Sequence, residues 1–344
     1  MRGFLLAVTL WMSIVPTWAA PPTPLTLAID GPRSSAWTPF LYAVERGLFR
    51  SAGIDLTISP PDGPGSALAS LAAGSADVCV ADAAAAFAER AAGARVTVIA
   101  SLGDRHPACI YVPAPVEPAP AGGPLPPEPA DGQIKGPKDL VGKRVAVDPL
   151  SADFPGLPLF LEPAGVRIGD LKLVLLDRTA RAAAVVGGSV DAAVGRTDEE
   201  PLPAGLAALP WADSGFTAYG PCIVARDEAV RSKAPALRAF LWAALAAWET
   251  CLRQPDAAAS VVAASTDLPA ARVVAWLGAE RAIFDTEAYR TKGIGLLDRS
   301  RVQATRELVT RGFQLPLPYP AGEGWTAALL PAPPVLLKPL VSAR

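Results

Sequence analysis

"LAAGSADVCVAD", residues 71–82, is echoed by "VVGGSVDAAVGR", residues 185–196. In both, an apolar helical stretch closes on Gly-Ser-x-Asp and a short apolar run follows. The glycine suits a helix C-terminus, and the aspartate suits a turn that opens a core strand. Taken alone, such a turn punctuates any strand–helix–strand unit, but here the surroundings repeat as well. Before the first copy, LTLAI (25–29) reads as a strand and DGPRSSAW as a polar loop. Thr38 is the expected N-cap, with Pro39 at the first helical position. The helix PFLYAVERGLF places Phe40, Leu41, Val44 and Leu48 on one face, and Gly47 and Gly53 mark its exit. IDLTIS (54–59) is a second strand, the helix SALASLAAG leads to a strand at 77–81, and the helix AAAAFAERAAG leads to RVTVIAS (95–101).

The second series starts near Lys138. PKDLVGKRVAVD gives a short helix and a strand at 144–147, and the loop DPLSADFPGLP leads into a helical stretch ending at Gly165. The strand LKLVLLD (171–177), the helix TARAAAVVGG and the strand DAAVG (191–195) follow. Strands alternating with helices of this length predict two similar α/β units with largely parallel sheets. Between them PAPVEPAPAGGPLPPEPADGQ (113–133) is too rich in Pro and Gly for a helix or central strand, and it reads as an exposed loop insertion. After Gly220 a strand, CIVAR, leads to helices at 228–253, 255–264, 269–282 and 298–312. A Pro-rich tail, 313–344, is expected to lie irregularly along the surface.

The chain begins MRGFLLAVTLWMSIVPTWAAPP, with one basic residue, an apolar run and small residues near Ala19. This is the layout of a secretory signal peptide over residues 1–19, and the run is shorter than the roughly 20 residues a membrane span needs. The remaining length suits two domains. The 31 basic residues are interspersed with 33 acidic ones and form no stripe suited to a phosphate backbone, so nucleic acid is excluded as a partner. PALRAFLWAALAAWETCL (235–252) contains Arg238 and Glu249 and reads as a buried helix. Cys79, Cys109, Cys222 and Cys251 stand in no CxxC or zinc-type grouping; one or two disulfides and buried free thiols both remain open.

Enzymatic constellations are scarce. His106 is the only histidine, which excludes multi-imidazole metal sites and HExxH chemistry; it reads as a loop histidine, with a place in a cleft as the alternative. No GxSxG, GxxxxGK[ST] or GxGxxG motif is present. No catalytic residue, metal or cofactor is expected. Loops of small and polar residues abound instead where strands end and helices begin, the place where open parallel sheets bind ligands. The candidates are Arg33, Ser34, Ser35 and Trp37; Asp62, Gly65 and Ser66; Asp82 and Ala83; Asp148, Ser151 and Phe154; and Arg196 and Asp198. Helix N-termini behind Thr38, Ser66 and Ser151 would suit an anionic group, and Trp37 would cover a flat part of a ligand. The plainer alternatives are that these Ser and Asp residues are ordinary N-caps and that Trp37 belongs to the core.

The stretches LTLAIDGPRSSAWTPFLYAVERGLFRSAGIDLTIS, GSALASLAAGSADVCVAD and IKGPKDLVGKRVAV together resemble the substrate-binding proteins of bacterial ABC importers, of the nitrate/sulfonate/taurine and thiamine-pyrimidine-precursor type. The matching features are Ala43, Gly47 and Phe49, then Gly53, Ile54 and Leu56, the Gly74–Asp77 turn, and the Pro137–Arg144 signature. The resemblance implies a two-lobed, type II periplasmic-binding-protein fold, each lobe a mostly parallel sheet flanked by helices and joined by two crossing strands. ACIYV (108–112) and PCIVAR (221–226) would be those crossings. Lobe 1 would then span 20–108 plus 223–312, and lobe 2 would span 109–222. Cys109 and Cys222 would lie near the hinges, where a disulfide between the crossing strands or between Cys79 and Cys222 was open. The implied function is that of a periplasmic, monomeric binding protein. It traps a small organic molecule by hinge closure and passes it to a permease and ATPase. A ligand sensor and an enzyme on the same fold are the alternatives. This chain departs from the pattern in its Pro-rich insertion and in Asp148-Pro149-Leu150-Ser151, where relatives tend to have Gly-Ser. The expected ligand is a small organic molecule, anionic or aromatic. Among the candidate loops only Arg33 and Arg196 could supply full positive charge, opposed by Asp30, Asp62, Asp82, Asp148, Asp153, Asp198 and Glu199, so a strongly anionic ligand is less secure than the family resemblance alone implies.

Overall fold

Short apolar runs such as VCVA and RVAV, flanked by Gly-rich turns, become the strands of two sheets. The computed structural model describes residues 21–29, 35–59, 66–115, 133–199 and 202–340. The expected signal peptide and most of the Pro-rich insertion lie outside them. Ten strands are described: β1 (Thr23–Ile29), β2 (Ile54–Ser59), β3 (Val78–Asp82), β4 (Val96–Ser101), β5 (Ala108–Pro113), β6 (Arg144–Val147), β7 (Lys172–Leu175), β8 (Ala192–Arg196), β9 (Leu206–Pro210) and β10 (Pro221–Arg226).

The two sheets have the same plan, β2-β1-β3-β10-β4 and β7-β6-β8-β5-β9. In each, the first three strands pair in parallel. The fourth strand, β10 in the first sheet and β5 in the second, runs antiparallel to both its neighbours. The chain therefore passes from one sheet to the other between Ser101 and Ala108 and returns between Pro210 and Pro221. The second sheet is thus one continuous run of the chain, β5–β9, and these two connections tie the two α/β lobes together.

Each sheet is covered on both faces, as parallel strands require. One face of the first sheet packs Leu25, Leu27 and Ile223 against Phe40, Phe240, Trp248 and Phe284 of the helices Thr38–Glu45, Ala234–Arg253 and Ala270–Phe284. The other face packs Cys79, Val98 and Val224 against Leu71 and Phe87. In the second lobe Ile110, Val145 and Val194 meet Phe160 and Trp211.

The repeated turn is built identically in both lobes. Gly74 and Gly188 take left-handed φ values of 84° and 69°. The Ser75 and Ser189 hydroxyls both donate to a carbonyl of the preceding helix at 3.0 Å. The Asp77 backbone N–H donates to the Thr26 carbonyl while its carboxylate accepts from the Thr26 N–H. Asp191 repeats this double clamp on Arg144.

Several expectations are corrected. The first helix ends at Glu45 and a second one, Leu48–Ser51, follows left-handed Gly47. Val44 consequently faces outward, 42% exposed. Thr38 is not a side-chain cap: Trp37 holds that position, and the buried Thr38 hydroxyl has no partner. The expected helix 228–253 is two, Asp227–Ser232 and Ala234–Arg253. β9 and the helix Glu287–Thr291 are additional. The tail is not merely superficial, because Leu329 and Leu337 are buried in the first lobe's core. All four cysteines are buried and none is joined in a disulfide, so the disulfides considered above do not form. Cys79 and Cys222 sit on adjacent strands but out of register, opposite Val224 and Ala81. No helix among the described residues is long and apolar enough to cross a membrane.

Candidate functional site

The strands that follow the two turns, β3 and β8, end in Asp82 and Arg196. The structure brings these ends together across the two lobes, with Arg196 Nη1 3.8 Å from Asp82 Oδ2. Asp82 is also the N-cap of the helix Ala83–Ala91, its Oδ1 accepting from the Ala84 N–H at 3.1 Å. One carboxylate thus serves both a helix start and the facing lobe, an arrangement favoured by the helix dipole.

Arg196 is held by a dense set of partners. Its Nε and Nη2 donate as a fork to Asp198 at 2.8 and 2.7 Å, and Nη1 donates to Asp153 at 3.1 Å. Burial works against its charge, but Asp153 and Asp198 outweigh that and raise the guanidinium's pKa well above its ordinary value. The backbone at this residue is pinned by Tyr111 of β5, whose hydroxyl donates to the Arg196 carbonyl at 2.6 Å and accepts from its N–H at 3.1 Å. The Tyr111 ring lies over Gly195, where an added Cβ would come within 2.2 Å of it. Glycine is required here by close approach, not by an unusual φ.

Buried carboxyls accumulate around this arginine. Burial, opposed by Arg196 and reinforced by Asp153 and Asp198, raises the Asp82 pKa to about 6. Asp153, 3% exposed, is raised by the same burial against the pull of Arg196. On the first lobe the helix Ala270–Phe284 presents Trp276 and, one turn later, Glu280. The Trp276 indole N–H donates across the cleft to the Asp198 carbonyl at 2.9 Å. Glu280 is 3% exposed, and its Oε1 has no hydrogen-bond partner among the described residues. Burial and the Asp198 charge push its carboxyl well above the ordinary range, with Arg196 opposing.

Of the residues singled out from the sequence, Asp82, Arg196 and Asp198 converge directly. Ser151 lies beside them: its hydroxyl donates to Asp153 Oδ2 at 3.3 Å and accepts from the Asp153 N–H at 3.2 Å. Phe154 is half-buried against the second lobe's core. Asp148 is turned to its own loop, accepting from the Leu150 N–H at 2.9 Å. Ala83 is buried and its N–H is committed to the Gly220 carbonyl. Trp37 is packed in the core, 1% exposed, with its indole N–H unpartnered, and so takes the plainer of its two readings. Arg33, Ser34, Asp62 and Gly65, and the side chains of Ser35 and Ser66, lie outside the described residues. His106 does lie in the loop between β4 and β5, as a buried histidine that caps the start of β5. It is buried between Trp211 and Phe216, its Nδ1 accepts from the Ala108 N–H at 3.1 Å, and burial holds its pKa well below the usual value.

Asp153 was counted only as an opposing charge in the sequence, and Tyr111, Trp276 and Glu280 were not singled out. The signal for Glu280 was its position within the apolar run VVAWLGAERAIF, one turn after a tryptophan. Among the described residues no group of three or more His, Cys, Asp or Glu side chains is placed to hold a metal ion.

The fold has many solved counterparts. The alkanesulfonate-binding protein SsuA from Xanthomonas axonopodis pv. citri, bound to MOPS, superposes with a TM-score of 0.60 at 19% identity, over 90% of this chain and 99% of that one. The putative sulfonate ABC transporter periplasmic sulfonate-binding protein SsuA from Methylobacillus flagellatus KT gives 0.65 at 15% identity, over 90% and 92%. The desulfurization enzyme DszB gives 0.55 at 17% identity, over 86% and 94%. At these identities the likeness establishes the two-lobed periplasmic-binding-protein architecture. No curated protein matches the sequence. The model of the family described as NMT1/THI5 like matches residues 34–116 and 128–258, more than half of the chain and both of its Gly-Ser-x-Asp turns, and the chain belongs to that family.

Proposed function

We propose that the chain is an exported, periplasmic solute-binding protein. It closes two lobes around a small organic molecule and delivers that molecule to an ABC permease and ATPase. The observation that carries the reading is the meeting of the β3 and β8 ends, where Asp82 and Trp276 of one lobe reach Arg196 and Asp198 of the other. Contacts that span two lobes joined by two connections are those a hinged clamp makes on closing. The ligand would contact Asp82, Ser151, Phe154, Arg196 and Asp198, together with the loops holding Arg33, Ser34, Ser35, Asp62, Gly65 and Ser66. Residues 20–108 with 223–312 would move as one lobe and residues 109–222 as the other. Two of the solved counterparts are named as sulfonate-binding proteins, which supports transport over sensing.

DszB is an enzyme on a similar fold, so a catalytic alternative has one observation in its favour. Against it, His106 is buried and used by its own backbone, and burial raises the Cys109 and Cys222 thiols above their ordinary pKa, which leaves weak nucleophiles. A thermal-shift screen of small organic solutes tests the proposal. At one hundred times Kd a true ligand stabilises the protein by about 2.7 kcal/mol. Turnover of a hit, or no hit from a broad library, would overturn it.

A further inference from the structure

The charge balance of the cleft narrows the ligand class, and this step rests on the solute-binding reading above. Arg196 is the guanidinium where the two strand ends meet, but three of its five N–H donors are already committed to Asp198 and Asp153, which neutralise its charge. The second cation nearby, Arg181 on the helix Arg178–Val186, is 2% exposed and donates to the Val194 carbonyl behind β8. Glu199 is paired with Arg178 at 3.5 Å. Setting that pair aside, among the described residues Asp82, Asp153, Asp198 and Glu280 face Arg196 and Arg181, an excess of two carboxyls in a region nearly closed to water. The fourth is the informative one. A buried carboxyl with no hydrogen bond costs free energy unless something pairs with it. Glu280 stands one turn beyond Trp276, the residue that touches Asp198 across the cleft, and the charges it faces are Asp198 and Arg196.

We infer that the ligand carries a positively charged nitrogen, an organic ammonium or amidinium. It is seated between Glu280 of the first lobe and Asp198 of the second, with Arg196 as an internal counter-ion to the acidic set and not as an anchor for a ligand anion. A cation there supplies the missing partner of Glu280 and lowers the repulsion that closure creates between the two lobes' carboxyls. A sulfonate or nitrate would meet a guanidinium already neutralised by Asp198 and Asp153 and would add a further negative charge to the acidic set. A divalent metal ion is the poorer fit, because no group of three ligating side chains converges among the described residues.

The linkage to pH separates the classes. Among the described residues, the groups facing the seat are Asp82 from β3, Arg196, Asp198 and Glu199 from β8 and its loop, Asp153 from the loop after β6, Arg181 from its helix, and Glu280. Asp82 and Glu280 have raised pKa values without ligand. A bound cation favours their charged forms, so binding releases protons and tightens as pH rises from about 5.5 to 7.5. A bound anion does the reverse.

The test is isothermal titration calorimetry of the mature protein at pH 5.5 and 7.5, in two buffers of different ionisation enthalpy. The probes are benzamidine and agmatine against ethanesulfonate and benzenesulfonate. The inference predicts that a cationic probe binds with proton release. It also predicts that Glu280→Gln weakens that binding tenfold or more without lowering the melting temperature, while Asp82→Asn reduces the number of protons released. Tighter binding of a sulfonate with proton uptake, or a Glu280→Gln variant that binds the cation as the parent does, overturns the cationic ligand and leaves solute binding intact. Binding of neither class overturns it too; only the failure of the broad library removes the solute-binding reading itself.

Discussion

Asp77 and Asp191 make the same double clamp on a neighbouring strand, and the glycines and serines before them superpose in role, yet the strands they launch finish differently. The first ends Ala81-Asp82 and the second Gly195-Arg196. The turn is scaffold in both lobes: it closes a helix, fixes where a core strand begins, and so fixes where that strand ends. What differs is the residue delivered to the cleft and the packing that holds it. In the first lobe Asp82 is fixed by capping a helix. In the second lobe Arg196 is fixed by Asp198, Asp153 and the Tyr111 hydroxyl, and Gly195 exists to admit that tyrosine. Duplicated architecture has been given opposite charges at its two tips.

The sharpest way to break this comparison is to remove the second tip. Arg196→Leu should destabilise the protein by about 3–5 kcal/mol, because it strands the buried Asp153 without its partner. The matching Asp82→Asn should not, since asparagine still caps the helix. Urea unfolding at pH 7 checks both. Next in size, Gly195→Ala should cost about 3 kcal/mol as the methyl group meets the Tyr111 ring. Ala81→Gly in the equivalent position should cost about 1 kcal/mol or less. Equal losses at 195 and 81 would show that the tyrosine yields and that the asymmetry is not real.

The aspartates of the two turns should separate as well. Asp77 also pairs with Arg226 at 3.0 Å and Lys233 at 2.9 Å and is 7% exposed, whereas Asp191 adds only the more exposed Arg144. Asp77→Ala should therefore cost about 2–3 kcal/mol and Asp191→Ala about 1 kcal/mol. Smallest is a pH effect at the first tip. The Asp82 carboxyl titrates at about 6 when folded and near 3.8 otherwise. Its raised value means the folded state holds the proton more tightly, so its contribution to stability declines as pH rises from about 4 to about 6 and stays low above. Asp82→Asn should leave stability unchanged at pH 4 and raise it by about 1–2 kcal/mol at pH 7.5.

Much of the fold was legible because it is written locally. Apolar runs of four to six residues, Pro39 at a helix start and glycines at helix ends all act within a turn or two of chain. The two lobes followed from the repetition, and the two crossings between them followed from family likeness. What was not legible depends on distant partners. Val44 has the helical spacing of a core residue, but the break at Gly47 leaves it outside. LAALP (206–210), flanked by prolines, is a strand only because β5 offers it an edge. Trp37 and His106 look like loop residues in the sequence and are buried by helices and rings far along the chain. At the site, the strand ends were readable because the turns place them, and Asp82, Arg196 and Asp198 were named from that logic. Glu280 was not, since nothing within its own helix reveals that Asp198 lies across from it.

The central claim is that two matching lobes work as a clamp. Every native cysteine is buried, so spin labels can be placed selectively through Val44→Cys on the first lobe and Val186→Cys on the second, both exposed positions. Pulsed dipolar spectroscopy with and without the solute found by screening then measures the interlobe distance. The account predicts a broad or longer distribution in the free protein that collapses to one shorter distance on binding. An identical distribution in both states, with binding verified by calorimetry on the same labelled protein, would contradict it.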